Sequence, residues 1–233
     1  SFNGFYNRFN FGNFFNNRFS FTSTTVSASG ASYTTVSASV LKDLYVNGTS
    51  GTIDASSIHT ISGSGTTISV ANDVYGSGRF TGLGSENVAI TDTGSAGDGN
   101  GVVVADLNTL NGYTTGNVDA SAISFLEGTI SALNTAYGST SALGNGISGL
   151  GNETVTIDDT TDVSASDLNT LNGYTTGNVV ATAAASLTGT ISDLNTLYAA
   201  SATSGNGVSG LGSEAVTVTD TSVSASELNT LNG

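Results

Sequence analysis

One phrase closes three successive stretches of the chain: ADLNTLNG ends at Gly112, SDLNTLNG at Gly173 and SELNTLNG at Gly233. Asp106, Asp167 and Glu227 therefore stand 61 and 60 residues apart, followed by the leucine pairs Leu107 and Leu110, Leu168 and Leu171, and Leu228 and Leu231. A chain that repeats at this interval builds one unit several times over, and each unit buries its apolar face against its neighbours. A second marker keeps step: GLGSENVAIT from Gly82, GLGNETVTID from Gly149 and GLGSEAVTVT from Gly210. An earlier, diverged copy reads VSASVLKDLYVNG, with Leu41, Leu44 and Gly48. Its longer distance to the next copy is accounted for by GSAGDGNG, Gly94 to Gly101.

Inside a unit, Ser164 with Asp167 and Ser224 with Glu227 have the spacing of a capping box, which satisfies the first free amides of a helix. Leu168 and Leu171 then share one side of a short helix of about two turns, which Gly173 is expected to end in the left-handed conformation. Helices this short need something to lie on. The alternating Val155, Ile157 and Val216, Val218, with Thr between, read as short strands that supply it. SDLNTL occurs at both Ser166 and Ser192, an echo within the unit. Strand, turn, short helix and glycine, bent at corners such as GYTTGN, GNG and GSG, predict a repeat protein: a β-rich solenoid with short helical turns. Tandem β-sandwich domains and an intertwined trimeric fibre are the alternatives.

Composition narrows the chemistry. Gly occurs 31 times, and Pro, Cys, Met and Trp not at all, so disulfides and thiolate metal sites are excluded. Arg8, Arg18, Lys42 and Arg79 face 18 acids, a formal charge of −14. Phosphate backbones and anionic membrane surfaces require basic contacts that this chain lacks, so neither is an expected partner. No run of about 18 apolar residues exists to insert in a membrane. A chain that starts with serine and contains no methionine reads as a processed one, and loss of a leader would imply export to the cell surface or beyond.

The start of the chain differs from the rest. SFNGFYNRFNFGNFFNNRFSFTST carries Phe2, Phe5, Phe9, Phe11, Phe14, Phe15, Phe19 and Phe21 with Arg8 and Arg18. Residues 1–42 have charge +3 and the remainder −17, which favours docking of one on the other, as a cap on the same chain or an arm on a neighbour. Burying each phenylalanine is worth about 1.5–3 kcal/mol. The organisation expected is a Phe/Asn/Gly-rich docking arm or cap at 1–24, a Ser/Thr-rich connector at 25–35 and a first diverged repeat at 36–105. A second repeat at 106–166, a third at 167–226 and the start of a further one at 227–233 follow.

Catalytic groups are sparse. His59 is the sole histidine, and neither a nucleophile elbow nor a phosphate-binding loop occurs. Acids that recur once per unit suit a structural role, so no enzyme activity is expected. Calcium is the small ligand the acids fit best: Asp158, Asp159 and Asp162 crowd one turn, while Asp92 and Asp98 bracket the glycine-rich surplus, offering hard oxygen ligands.

The phrases VSASDLNTLNGYTTGNV, GTISDLNTLY and GLGSEAVTVTDTSVSASELNTLNG resemble the repeats of large secreted cell-surface proteins of cyanobacteria, over roughly Val36 to Gly233. SELNTLNG is also similar to phrases of phage tail-fibre repeats. Both resemblances imply a secreted or particle-borne structural protein. The expected function is a structural subunit of an extracellular filament or surface layer, a homopolymer assembled through the aromatic N-terminal arm. The alternative is an adhesive cell-surface or phage-fibre binding module.

Overall fold

The computed structural model describes residues 25–27, 35–48, 50–63, 67–96, 99, 101–139, 145–201 and 206–232. After β1 (Thr25–Ser27) come β2 (Thr35–Ser37), α1 (Ala38–Asp43) with a π-helical turn at Leu44–Gly48, β3 (Thr52–Asp54), β4 (Thr60–Ser62), α2 (Thr67–Gly76), β5 (Phe80–Thr81) and β6 (Asn87–Ala89). The next stretch holds β7 (Val102–Val103), α3 (Val104–Tyr113), β8 (Asn117–Asp119), β9 (Phe125–Gly128), α4 (Ile130–Gly138), β10 (Gly146–Ser148) and β11 (Thr154–Ile157). The last holds β12 (Asp162–Ser164), α5 (Ala165–Tyr174), β13 (Val179–Val180), β14 (Ser186–Gly189), α6 (Ile191–Ser201), β15 (Val208–Ser209), β16 (Ala215–Val218) and α7 (Ala225–Asn232). The order strand, helix, strand, strand, helix, strand, strand occurs three times, from β2, β7 and β12. Thr25–Ser27, expected in a connector, forms strand β1 and pairs with β3.

The protein is an α/β fold built on parallel sheets. It divides into two compact units. One takes the described residues up to Asp92, with Thr109–Asp119, Asn145 and Gly146; the other takes Thr93–Asn108 and the described remainder from Ala120. In the first unit β1, β3 and β5 form one sheet, and β2, β4, β6 and β8 lie side by side in another. In the second unit the orders are β15-β13-β11-β9-β7 and β12-β14-β16. Strands pair with the strand two places on in the chain. Val102 faces Leu126, which faces Val155, then Val179, then Val208, in steps that alternate 24 and 29 residues. Val163, Leu187 and Val216 repeat the alternation.

Two helices per sequence repeat explain the echo of SDLNTL: Leu168 belongs to α5 and Leu194 to α6, which pack together. Their leucines are fully buried, as are Leu107, Leu110, Leu133, Leu171 and Leu197. Val155 and Ile157 of β11 are likewise sealed, with threonines turned to the wetter side. The caps form as expected: Ser164 Oγ accepts from Asp167 N at 3.3 Å, and the Glu227 carboxylate accepts from Ser224 N at 2.8 Å.

Gly173 departs from expectation. It lies inside α5, which runs on to Tyr174 and ends at an extended Thr175. The helix continues because the Tyr174 ring stacks on Tyr137, and Thr175 turns out to bond the Glu153 carbonyl. The helices of the regular repeats accordingly run 9–11 residues, nearer three turns than two.

Candidate functional site

The GLG marker and the GYTTGN corner, distant in sequence, fold onto each other. In the second unit, Glu153 is buried, and its carboxylate curls back to accept from Gly151 N at 2.9 Å and Asn152 N at 3.1 Å. Gly151 adopts a φ of +136°, a conformation that costs a side-chain-bearing residue dearly. Tyr137 of α4 donates its hydroxyl to the same carboxylate. The corner closes over this pair. Tyr174 stacks on Tyr137 with centroids 5.3 Å apart, Thr175 Oγ1 donates to Glu153 O at 2.7 Å, and Thr176 N donates to Gly151 O at 2.8 Å. Gly177 follows where a β-carbon would stand 2.2 Å from Glu153 O, so only glycine passes.

The first unit contains the same constellation. Tyr75 donates to buried Glu86, Gly84 N donates to that carboxylate at 2.9 Å, and Tyr113 stacks on Tyr75 at 5.2 Å. Thr114 Oγ1 reaches Glu86 O at 2.6 Å, Thr115 N reaches Gly84 O at 2.9 Å, and Gly116 makes the same close approach at 2.2 Å. Burial, and then the facing carboxylate, push the Tyr75 and Tyr137 hydroxyls well above the ordinary phenol range. A buried carboxylate supplied with this many donors has its acceptor sites satisfied.

A third copy, Tyr198 donating to Glu214, is laid out alike, with Gly212 N at 2.7 Å and Ser213 N at 3.0 Å from the carboxylate. Burial opposes the charge on Glu214, but the Tyr198 hydroxyl and these amides outweigh it and hold its carboxyl below the usual range. Here no tyrosine or threonine closes the cluster among the described residues.

A further device joins the helices of the second unit. Asn108 Nδ2 donates to Ala132 O at 2.9 Å, Asn134 to Asp167 O at 3.3 Å, Asn169 to Asp193 O at 2.9 Å and Asn195 to Glu227 O at 3.4 Å. Each asparagine follows the first leucine of its phrase, and each acceptor precedes the next helix's leucine, giving a ladder with one rung per helix. In the diverged repeat Lys42 takes the asparagine's place and pairs with Asp73.

The residues named from sequence fall out as follows. Phe2, Phe5, Phe9, Phe11, Phe14, Phe15, Phe19, Phe21, Arg8, Arg18 and Asp98 lie outside the described residues. Asp92 caps α2, accepting from Thr67 N at 2.7 Å and Ile68 N at 3.2 Å. Asp159 caps α4 through Ile130 N at 2.7 Å, as Asp220 caps α6 through Ile191 N at 2.6 Å. These aspartates reach in from the turns after the neighbouring strands, beside the Thr129 and Thr190 hydroxyls that accept from Ala132 N and Asp193 N at the starts of α4 and α6, and place negative charge on the positive helix end. Asp162 accepts from the Ser186 hydroxyl, and the Asp158 amide donates to Gly128 O at 3.0 Å. Among the described residues no group of three or more metal-ligand side chains comes together. His59 is exposed, with Nδ1 3.1 Å from Ser57 O.

The glutamates and tyrosines of the clusters were missed from sequence, although their signal was there: Glu86, Glu153 and Glu214 recur in step with Tyr75, Tyr137 and Tyr198. No helix among the described residues is long and apolar enough to cross a membrane. No protein-family model, no curated protein and no solved structure matches the chain.

Proposed function

We propose that the protein is a structural repeat array, a β-rich solenoid with helical turns, that serves as a subunit of an extracellular filament or surface layer. Its work is mechanical rather than catalytic, and successive copies join through the aromatic segment 1–24. The observation that carries this reading is the inward use of the repeated chemistry. The leucines pack, the asparagines link helices, the aspartates cap and the glutamates lock corners. Parallel strands that pair two places on, step after step, are the pattern a solenoid requires. An arm that reaches into the next copy makes a heterologous contact, which propagates as a fibre.

Sedimentation velocity and electron microscopy of the whole chain, beside a chain beginning at Thr25, test the proposal. Polymers are expected from the first and monomers from the second; equal polymerisation by both would remove the arm from the mechanism. A second reading, an adhesive module, draws on Tyr113 and Tyr174, which remain 40% and 41% exposed at successive corners. It predicts ligand binding that the shortened chain retains in full.

A further inference from the structure

Readily oxidised side chains are of one kind in this chain, and four of them are paired. Cys, Met and Trp are absent, which leaves the 8 tyrosines as the groups that give up an electron most easily. Tyr137 and Tyr174 stack with centroids 5.3 Å apart and planes 4° from parallel, and Tyr75 and Tyr113 with centroids 5.2 Å apart and planes at 7°. Each stack has an inner and an outer member. Tyr137 is 3% exposed and Tyr75 half-buried, while the outer rings of Tyr174 and Tyr113 are open to solvent. The inner hydroxyls donate to buried carboxylates, Tyr137 to Glu153 and Tyr75 to Glu86. Tyr45 is packed otherwise, edge-on to Phe80 at 88°. Burial holds both inner phenols in the protonated form, and such a phenol yields an electron easily only when its proton leaves as well. Glu153 and Glu86 are bases already in contact with that proton.

We propose that each stack is a dityrosine site, closed into a covalent staple within the monomer by hydrogen peroxide and a haem peroxidase. The peroxidase removes one electron from the open ring of Tyr174. The hole passes through the stack to Tyr137, whose hydroxyl proton moves to Glu153. Tyr174 is thereby restored and is oxidised a second time, its own proton going to solvent. The two phenoxyl radicals, already face to face, bond through ring carbons ortho to their hydroxyls. The hydrogens on those two carbons leave as protons and each oxygen regains one, so Glu153 ends ionised as it began. Two tyrosines and one peroxide thus give one dityrosine and two waters. Tyr113, Tyr75 and Glu86 repeat these steps in the first unit. Rings held in contact couple in a unimolecular step, which outruns coupling between molecules. The staple joins α4 to α5 and draws on neither residues 1–24 nor assembly, so it stands or falls apart from the polymer.

Treatment of the whole protein with a haem peroxidase and hydrogen peroxide, followed by denaturing electrophoresis and peptide mass spectrometry, tests the site. The monomer band is expected to carry dityrosine fluorescence and the linked pairs Tyr137 with Tyr174 and Tyr75 with Tyr113, a readout that needs no variant. Tyr174→Phe should remove the first link and keep the second. Glu153→Gln, a far weaker base of the same shape, should slow the first link at least about tenfold against the second in the same molecules. Dityrosine confined to crosslinked oligomers, links from Tyr45 as abundant as those within the stacks, or an unchanged rate in Glu153→Gln would overturn the proposal. So would a monomer without dityrosine under conditions that couple free N-acetyltyrosine.

Discussion

The asparagine of LNTL does something its neighbours cannot. The leucines bury themselves within any helix pair, but Asn169 fixes one helix against the next by donating to Asp193 O. Removing it strips the Asp193 carbonyl of its second donor, the one that ties the two helices together in a partly buried seam. Asn169→Ala is therefore expected to cost about 1–3 kcal/mol in urea unfolding, whereas Asn229→Ala, on exposed α7, should change stability by less than about 0.5 kcal/mol. Two glycines four residues apart diverge in the same way. Gly173 sits within a helix with nothing near its missing β-carbon, so Gly173→Ala should stabilise by about 0.5–1 kcal/mol. At Gly177 the same methyl would press on Glu153 O, and Gly177→Ala should lose about 3 kcal/mol as the corner is forced open.

Among the elements, helix and strand owe their stability to stacking. Leu168→Ala should cost about 3–5 kcal/mol, because a fully buried leucine leaves a cavity, and Leu228→Ala under about 1 kcal/mol. The capping box at Ser224, the leucine pairs and the Val155, Ile157 strand were legible because each is a local pattern. The second helix of each repeat was legible only as an echo, since SDLNTL at Ser192 lacks the Gly-Tyr that follows the first. Helix capping by Asp92 and Asp159 was not legible. Those aspartates act on amides 24–29 residues away, and only parallel pairing brings them there, so in sequence they read as a calcium cluster. Gly173 misled for a related reason: a stacked tyrosine from another stretch carries the helix past it.

For the molecule as a whole, stability should fall on the alkaline side. Tyr75 and Tyr137 have folded values raised above the unfolded value of about 10, so their contribution is complete below that pH and drains away as the unfolded chain begins to release protons. Tyr198, less buried, adds a smaller contribution of the same sign. Urea unfolding should lose up to about 1.4 kcal/mol per pH unit above about pH 10 for each of Tyr75 and Tyr137, and Tyr137→Phe should make the slope shallower by about that amount. The central claim, that parallel strands stack side by side at alternating steps of 24 and 29 residues, is open to one direct measurement. The chain has no cysteine of its own. In the variant Ser186→Cys with Ala215→Cys the two sulfurs face each other across β14 and β16, one 29-residue step apart. Mild oxidation should close that disulfide within the monomer, and the one-residue slip Ser186→Cys with Glu214→Cys should not close. Equal crosslinking of both pairs, or of neither, would contradict the stacked register.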